Sequence, residues 1–122
     1  MRALFLALIA TLAMSGLAQA VDKDTSQIEL AQAINAVQTA ERDDAAQYAP
    51  TDLDESHAML ASAQAATDHR DWTATAMYAE RAKVCADLAS ARSRQHRAEA
   101  ATAEIERSVE TLRAQIANGG AP

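Results

Sequence analysis

The sequence predicts an all-α protein: an antiparallel helical hairpin, or three-helix unit, with a long, coiled-coil-like third helix. Composition is the first observation behind this prediction, because 32 of the 122 residues are Ala while only 3 are Gly and 2 are Pro. Strong helix formers therefore dominate and turn formers are rare. The second observation is the stretch from Trp72 to Ala117, which contains neither Pro nor Gly and repeats its apolar residues at helical spacing.

One apolar row runs through most of that long stretch. Its members follow each other at alternating spacings of four and three: Val84, Leu88, Ala91, Gln95, Ala98, Thr102, Ile105, Val109, Leu112 and Ile116. This alternation is typical of the seam between two packed helices. At ~1.5 Å per residue the helix would extend roughly 65–70 Å, which is longer than so small a domain needs.

The N-terminal segment has the features of a signal peptide cleaved after Ala20. Arg2 is followed by an apolar run over 3–14 that is too short to cross a bilayer comfortably, and small residues occupy positions 18 and 20. A lipoprotein would need Cys after the cleavage point, where Val21 stands. We therefore expect a periplasmic protein that is not a lipoprotein and has no stable membrane span after cleavage.

Charge is distributed unevenly along a chain whose net charge is −6. Residues 21–69 carry ten acidic and two basic residues, whereas residues 70–122 carry seven acidic and eight basic residues. Acidic character and export both argue against nucleic-acid binding. The asymmetry has two interpretations: the acidic half lies on the basic part of the long helix, or both halves present solvated faces.

The first helix is predicted over about 26–47. Ser26 and Glu29 match a capping box at its start. A buried stripe follows at helical spacing: Leu30, Ala33, Ile34, Val37 and Ala40. The charged stretch 41–44 is interpreted as a solvated turn of this helix, which should end before Pro50.

A second helix is predicted over about 52–68 and a third over about 72–117, with Asp71 as the N-cap of the third. The second helix would bury one face, formed by Leu53, Ser56, Leu60, Ala63 and Thr67. The third would receive both other helices on an alanine face, formed by Ala76, Ala79, Ala82, Ala86 and Ala89. Since the first two helices are short, the candidate interaction surface is the uncovered end of the row, at Ile105, Val109, Leu112 and Ile116.

Residues with catalytic potential are few and scattered. Cys85 is the only cysteine, and we expect a buried, inert thiol, with an intermolecular disulfide as the alternative. The three histidines, His57, His69 and His96, lie on separate segments without a ligand at helical spacing. We expect no enzymatic activity and no cofactor.

Two further groups of residues have alternative interpretations. Arg92, Arg94 and Arg97 form a basic cluster that we interpret as a solvated face, with contact to an anionic envelope polymer as the alternative. The alternative function is that of a small periplasmic metal- or ligand-binding protein, whose binding residues would be His57, Met59 and Met77. Methionines on a helical hairpin are, however, usually core residues.

From Ala33 to Arg97 the chain resembles a domain-of-unknown-function family of exported bacterial proteins. The pattern combines Tyr48-Ala49-Pro50 and Asp71-Trp72 with small and aliphatic residues: Leu53, Leu60, Ala63, Ala76, Ala79, Ala82, Ala86, Leu88 and Ala89. The resemblance implies a helical hairpin followed by a long helix in periplasmic proteins and lipoproteins, sometimes ahead of an OmpA-like domain. It brings no catalytic residues. Asp43-Asp44 replaces the glycine that the family pattern has before the second helix. We expect no OmpA-like domain after Ala117, so the resemblance does not imply peptidoglycan binding for this chain.

The sequence thus favours a non-enzymatic cell-envelope scaffold or protein-interaction module. Its partner would be another protein or a second copy of this chain, bound through the long helix.

Overall fold

The computed structural model describes residues 20–120, so the predicted signal peptide lies, apart from Ala20, outside the described residues. Four helices and no strand occur within the described range: α1 (Lys23–Arg42), α2 (Ala45–Tyr48), α3 (Pro50–Asp68) and α4 (Trp72–Gly119). The all-α prediction is confirmed. At ~1.5 Å per residue, the 48 residues of α4 extend about 72 Å.

The helix α4 is the axis on which the other two long helices pack. Contacts between α1 and α4 keep a nearly constant sequence offset, as in Gln32 with Lys83 and Asp43 with Ser90, so the two helices run parallel. The helix α3 runs antiparallel to α4, because Thr67 lies near the beginning of α4 and Asp52 lies against Arg92. The helix α1 also contacts α3, through fewer residues.

The core consists mainly of small side chains in two clusters. Its apolar residues from α1 are Ala33, Val37 and Ala40; those from α3 are Leu53 and Ala63; those from α4 are Ala79, Ala82, Ala86 and Ala89. All four of these α4 alanines are fully buried, as predicted, whereas Ala76, the fifth residue of the predicted alanine face, is half-buried. Because alanine surfaces let helix axes approach closely but bury little area, each contact stabilises the fold less than a leucine contact would.

The start of α1 differs from the predicted capping box. The helix begins at Lys23, three residues before the predicted position, because the Asp22 carboxylate accepts a hydrogen bond from the Thr25 N–H at 2.7 Å. Ser26 is therefore inside the helix and donates its hydroxyl to the Lys23 carbonyl oxygen. The Thr25 hydrogen bond also lowers the pKa of Asp22.

The end of α1 is a second difference, because the helix stops at Arg42 instead of continuing to about residue 47. Asp44 adopts a left-handed conformation with φ 62°, which no α-helix can accommodate. The short helix α2 follows, and Pro50 at the first position of α3 provides the next start. The predicted solvated helical turn over 41–44 is therefore correct for Glu41 and Arg42, which are exposed at the end of α1, and wrong for Asp43 and Asp44.

The turn between α3 and α4 has a defined geometry. Arg70 is left-handed with φ 58°, the Asp71 N–H donates to the Ala66 carbonyl at 2.9 Å and the Arg70 N–H donates to Thr67 at 2.9 Å. This double hydrogen bond is a Schellman motif. The Asp71 carboxylate then accepts from the Ala74 N–H at 2.9 Å, as the predicted N-cap requires.

Candidate functional site

The helix α4 has two apolar faces on opposite sides. Ala86 lies on the inner face, which α1 and α3 cover, whereas Leu88, two residues later, points to the other side, because two residues turn an α-helix by about 200°. We call the second face the outer row: Val84, Leu88, Ala91, Gln95, Ala98, Thr102, Ile105, Val109, Leu112 and Ile116. None of these ten residues is buried.

The outer row includes most of the large apolar side chains that the described residues expose. Val84 is 61% exposed and Leu88 is 42% exposed, although both lie beside the packed part of the molecule. The predicted interaction residues are also exposed: Ile105 64%, Val109 39%, Leu112 57% and Ile116 75%. The seam predicted from the sequence is therefore present as a row of residues, but no described helix of this chain covers it.

The last part of α4 extends beyond the other helices. Every residue from Arg94 to Gly120 is exposed except Ala103, which is half-buried. We call residues 98–119 the arm; its 22 residues would extend about 33 Å beyond the packed part. The sequence predicted such an uncovered segment from the shortness of the first two helices.

Three arginine–aspartate pairs fix the base of the arm to the rest of the molecule. One terminal nitrogen of Arg92 lies 2.7 and 2.6 Å from the two carboxylate oxygens of Asp52 on α3. Two further pairs reach the segment after α1, with Arg94 3.6 Å from Asp43 and Arg97 3.5 Å from Asp44. The basic cluster is thus not simply a solvated face: the acidic half of the chain lies on the basic part of the long helix.

Asp43 also joins α1 to α4 through two serines. The Ser90 hydroxyl donates to the Asp43 carboxylate, and the Ser93 hydroxyl donates to the Asp43 main-chain oxygen. Both serines are buried on the inner face of α4, in line with the alanines. Sequence reasoning missed this contact, and the available signal was that serine replaces alanine twice on that face.

Cys85 lies in the wall of a groove between α3 and α4. The groove encloses about 380 Å³ and is lined by Glu55, Met59, Glu80, Arg81, Val84 and Cys85. Burial, followed by the negative charges of Glu55 and Asp52, raises the pKa of the Cys85 thiol, while Arg81 opposes them. The thiol is half-buried rather than buried as predicted, because it lies at the edge of the inner face. A raised pKa keeps it protonated and weakly nucleophilic.

The residues considered for metal or ligand binding do not converge. His57 Nε2 lies 2.9 Å from the Glu41 carboxylate, and Met59 packs on one core cluster. Met77 lies in a different groove, near Thr25 and Lys83. Within residues 20–120, no group of three or more His, Cys, Asp or Glu side chains could hold a metal ion.

The other histidines have equally separate environments. His69 is the exposed C-cap of α3, and His96 Nδ1 lies 3.4 Å from Glu99 on the exposed side of α4. Among the described residues, no helix combines the length and apolar composition needed to cross a membrane.

Comparison with known proteins identifies one family. A family model described as Domain of unknown function (DUF4398) matches residues 29–105, which is more than half of the chain. The match includes α3, most of α1 and the first part of α4, and it ends at Ile105 within the arm. No curated protein and no solved structure matches this chain.

Proposed function

The chain belongs to the DUF4398 family, and we propose that it is a non-enzymatic protein-interaction module of the cell envelope whose outer row is the binding surface. The observation that carries this proposal is the position of the row, because it runs along the side of α4 that the rest of the chain leaves open. Contiguous exposed apolar surface on a soluble domain is typical of a protein-binding site. A row on a long helix offers a partner helix a continuous surface.

The construction of the rest of the molecule supports this role. The inner face of α4 is packed against two helices, and three ion pairs attach the base of the arm. These contacts hold α4 in one direction while the outer row stays accessible. The packed part of α4, which carries Val84 and Leu88, therefore loses less conformational freedom on binding than a flexible segment would.

The envelope location rests on two sequence observations. The N-terminal segment has the basic start, the apolar run and the small residues of a signal peptide with cleavage after Ala20. The resemblance described above also implies periplasmic proteins. N-terminal sequencing of the protein from a periplasmic fraction tests this part of the proposal: a chain that begins at Val21 supports export, and an uncleaved cytoplasmic chain would reject it.

Site-specific photo-cross-linking in living cells tests the interaction surface. A photoreactive amino acid replaces Val109 or Leu112 on the outer row, and Thr111 on another side of the same turn serves as the matched control. We expect defined adducts from the row positions and little or no adduct from position 111. Equal cross-linking from all three positions, or none from the row, would reject the proposed function.

A further inference from the structure

The outer row can be described by the heptad positions of a coiled coil, and these positions indicate which kind of helix it binds. Counting from the alternating spacing assigns Leu88, Gln95, Thr102, Val109 and Ile116 to position a, and Val84, Ala91, Ala98, Ile105 and Leu112 to position d. We propose that the outer row binds a second copy of the same row, giving a parallel, in-register homodimer. This inference rests on the proposed function and specifies its partner.

Charge complementarity is the first argument for this partner and direction. In a parallel dimer each g residue faces the e residue five positions later on the other helix. Asp87 at g would then face Arg92 at e, and Arg94 at g would face Glu99 at e. Because the dimer is symmetric, each pair forms twice. The remaining g residues of the row are Ala101, Ser108 and Gln115, which are uncharged, so no like charges meet.

The arginines can make these contacts and keep those within their own chain. Arg92 uses one nitrogen for Asp52, and a guanidinium has five N–H donors. The side chains of Arg92 and Arg94 are 53% and 64% exposed. A second helix approaching the outer row would therefore find both groups accessible.

Gln95 supplies an independent argument for direction. It is the one side-chain amide in the row, and in a parallel register it meets the same amide of the other copy, to which it can hydrogen-bond. In an antiparallel pair that overlaps the whole row, a positions oppose d positions. Gln95 would then face Ile105, and its amide would keep only its 2.9 Å hydrogen bond to Glu99 of its own chain. Glu99 at e would also face Glu99 of the other copy, which is a like charge, whereas Glu106 would face Arg92.

Two further features support a parallel homodimer: the residue types at positions a and d near the end of the arm, and the side of α4 on which α1 and α3 pack. Val109 and Ile116 at a flank Leu112 at d, and β-branched residues at a with leucine at d favour two-stranded parallel pairs. Because α1 and α3 pack on the side of α4 opposite the outer row, the packed parts of the two copies point away from each other. The complete row, from Val84 to Ile116, is then available for pairing.

Sedimentation of the purified protein over a range of concentrations tests association. We expect a reversible dimer, and we expect Val109→Glu to raise its dissociation constant by about tenfold or more, because it places two carboxylates in one layer. Thr111→Glu adds the same charge off the row and should change the constant little. A wild-type protein that remains monomeric at all concentrations, or equal effects of both variants, would overturn the proposal.

Disulfide trapping tests direction. In a Cys85→Ser background, Leu112→Cys alone should cross-link efficiently on oxidation, because equivalent d positions share a layer in a parallel register. In the antiparallel arrangement position 112 faces position 88 instead. Efficient cross-linking only after Leu112→Cys is mixed with Leu88→Cys would therefore overturn the parallel register.

Asp87→Arg tests the charge pairs, since it replaces attraction to Arg92 of the other copy with repulsion. We expect the dissociation constant to rise severalfold at low salt and the difference from wild type to shrink at high salt. Unchanged affinity at low salt would contradict the proposed g–e contacts.

The photo-cross-linking experiment separates this inference from the proposed function. Row adducts with the mass of two copies of this chain support both. Row adducts to a different protein, together with a monomeric purified chain, would support an interaction module and overturn the homodimer.

Discussion

Cys85 shows how burial and individual charged neighbours together set the pKa of a side chain. Burial has the largest effect and raises the pKa of the thiol. The carboxylates of Glu55 and Asp52 raise this pKa further, whereas the Arg81 guanidinium lowers it. The thiolate is the reactive form, so the pH dependence of alkylation measures this balance directly.

We expect alkylation of Cys85 in the folded protein to reach half its limiting rate above pH 9.0, the ordinary pKa of the thiol. Glu55→Gln removes a negative charge and should lower the pKa, whereas Arg81→Gln removes a positive charge and should raise it. Rates measured with a small alkylating reagent across the alkaline range test both directions. Shifts of the same sign in the two variants would contradict the electrostatic explanation, and the urea-unfolded chain provides the reference pKa.

Arg70 shows strain in a single residue. Its left-handed φ of 58° costs an L-residue about 1–2 kcal/mol, a penalty that glycine avoids. Glycine also increases the conformational entropy of the unfolded chain, which lowers the free energy of unfolding by about 0.4–1 kcal/mol.

We therefore expect Arg70→Gly to increase the free energy of unfolding by up to ~1 kcal/mol. Arg70→Ala removes the same side chain but keeps the penalty, so it should give no such gain. Urea denaturation followed by circular dichroism measures the difference. If alanine stabilises as much as glycine, the side chain and not the backbone is the cause.

Some of these residue-level features could not be predicted from the sequence. The N-cap role of Asp71 and the alanine face of α4 could be predicted, because capping preference and helical periodicity depend only on residues that are close in the sequence. The left-handed Asp44 depends on contacts from distant residues, since Arg97 and the serines of α4 hold the segment around it. Local propensity favoured a continuous helix there, and tertiary contacts override local propensity.

At the C-terminal end of α1, polar contacts join the helices in addition to the apolar core. Asp43 at the C-terminal end of α1 accepts from Ser90, which is only 3% exposed. A buried hydroxyl bonded to a carboxylate stabilises more than an exposed pair does, and removing either partner leaves the other without its bond.

A double-mutant cycle measures this contact between α1 and α4. We expect Asp43→Ala to lower the free energy of unfolding by about 1.5–3 kcal/mol and the coupling with Ser90→Ala to lie within about 0.5–3 kcal/mol. The exposed acid Asp54 is the control, since Asp54→Ala should change stability by less than about 0.5 kcal/mol. Additive effects of the two substitutions would show that the hydrogen bond does not couple the helices.

The existence of the helices was more predictable than their boundaries or packing. The Pro- and Gly-free stretch from Trp72 onward predicted a helix that the structure extends to Gly119. The start of α1 was wrong because Asp22 and Ser26 are both good capping residues, and only the fold decides between them. The outer row was predicted as a seam, but periodicity alone gives no information on which of two apolar faces the chain itself will cover.

At the scale of the whole molecule, the packed part and the arm have different sources of stability. The packed part buries alanines between helices, whereas no residue of the arm is buried, so in a single chain the arm depends mainly on its own helical hydrogen bonds. A helix of about 20 residues without tertiary contacts is only marginally stable in water. The arm should therefore depend on a partner, and the packed part should not depend on the arm.

Removing residues 105–122 tests this independence. At concentrations where the chain is monomeric, we expect the truncated protein to unfold with a free energy within about 0.5 kcal/mol of the full chain, because no buried residue is lost. Ending the chain after Ala91 should instead cost about 1–3 kcal/mol, mainly because the Asp43 main-chain oxygen then loses the buried Ser93 hydroxyl, while the half-exposed Arg92–Asp52 pair adds little. Urea denaturation, monitored by the fluorescence of Trp72, measures both. If removal of residues 105–122 lowered the free energy of unfolding by much more than this, the arm would have to fold back onto the packed helices. The chain itself would then cover the outer row, and the row would not be available to a partner.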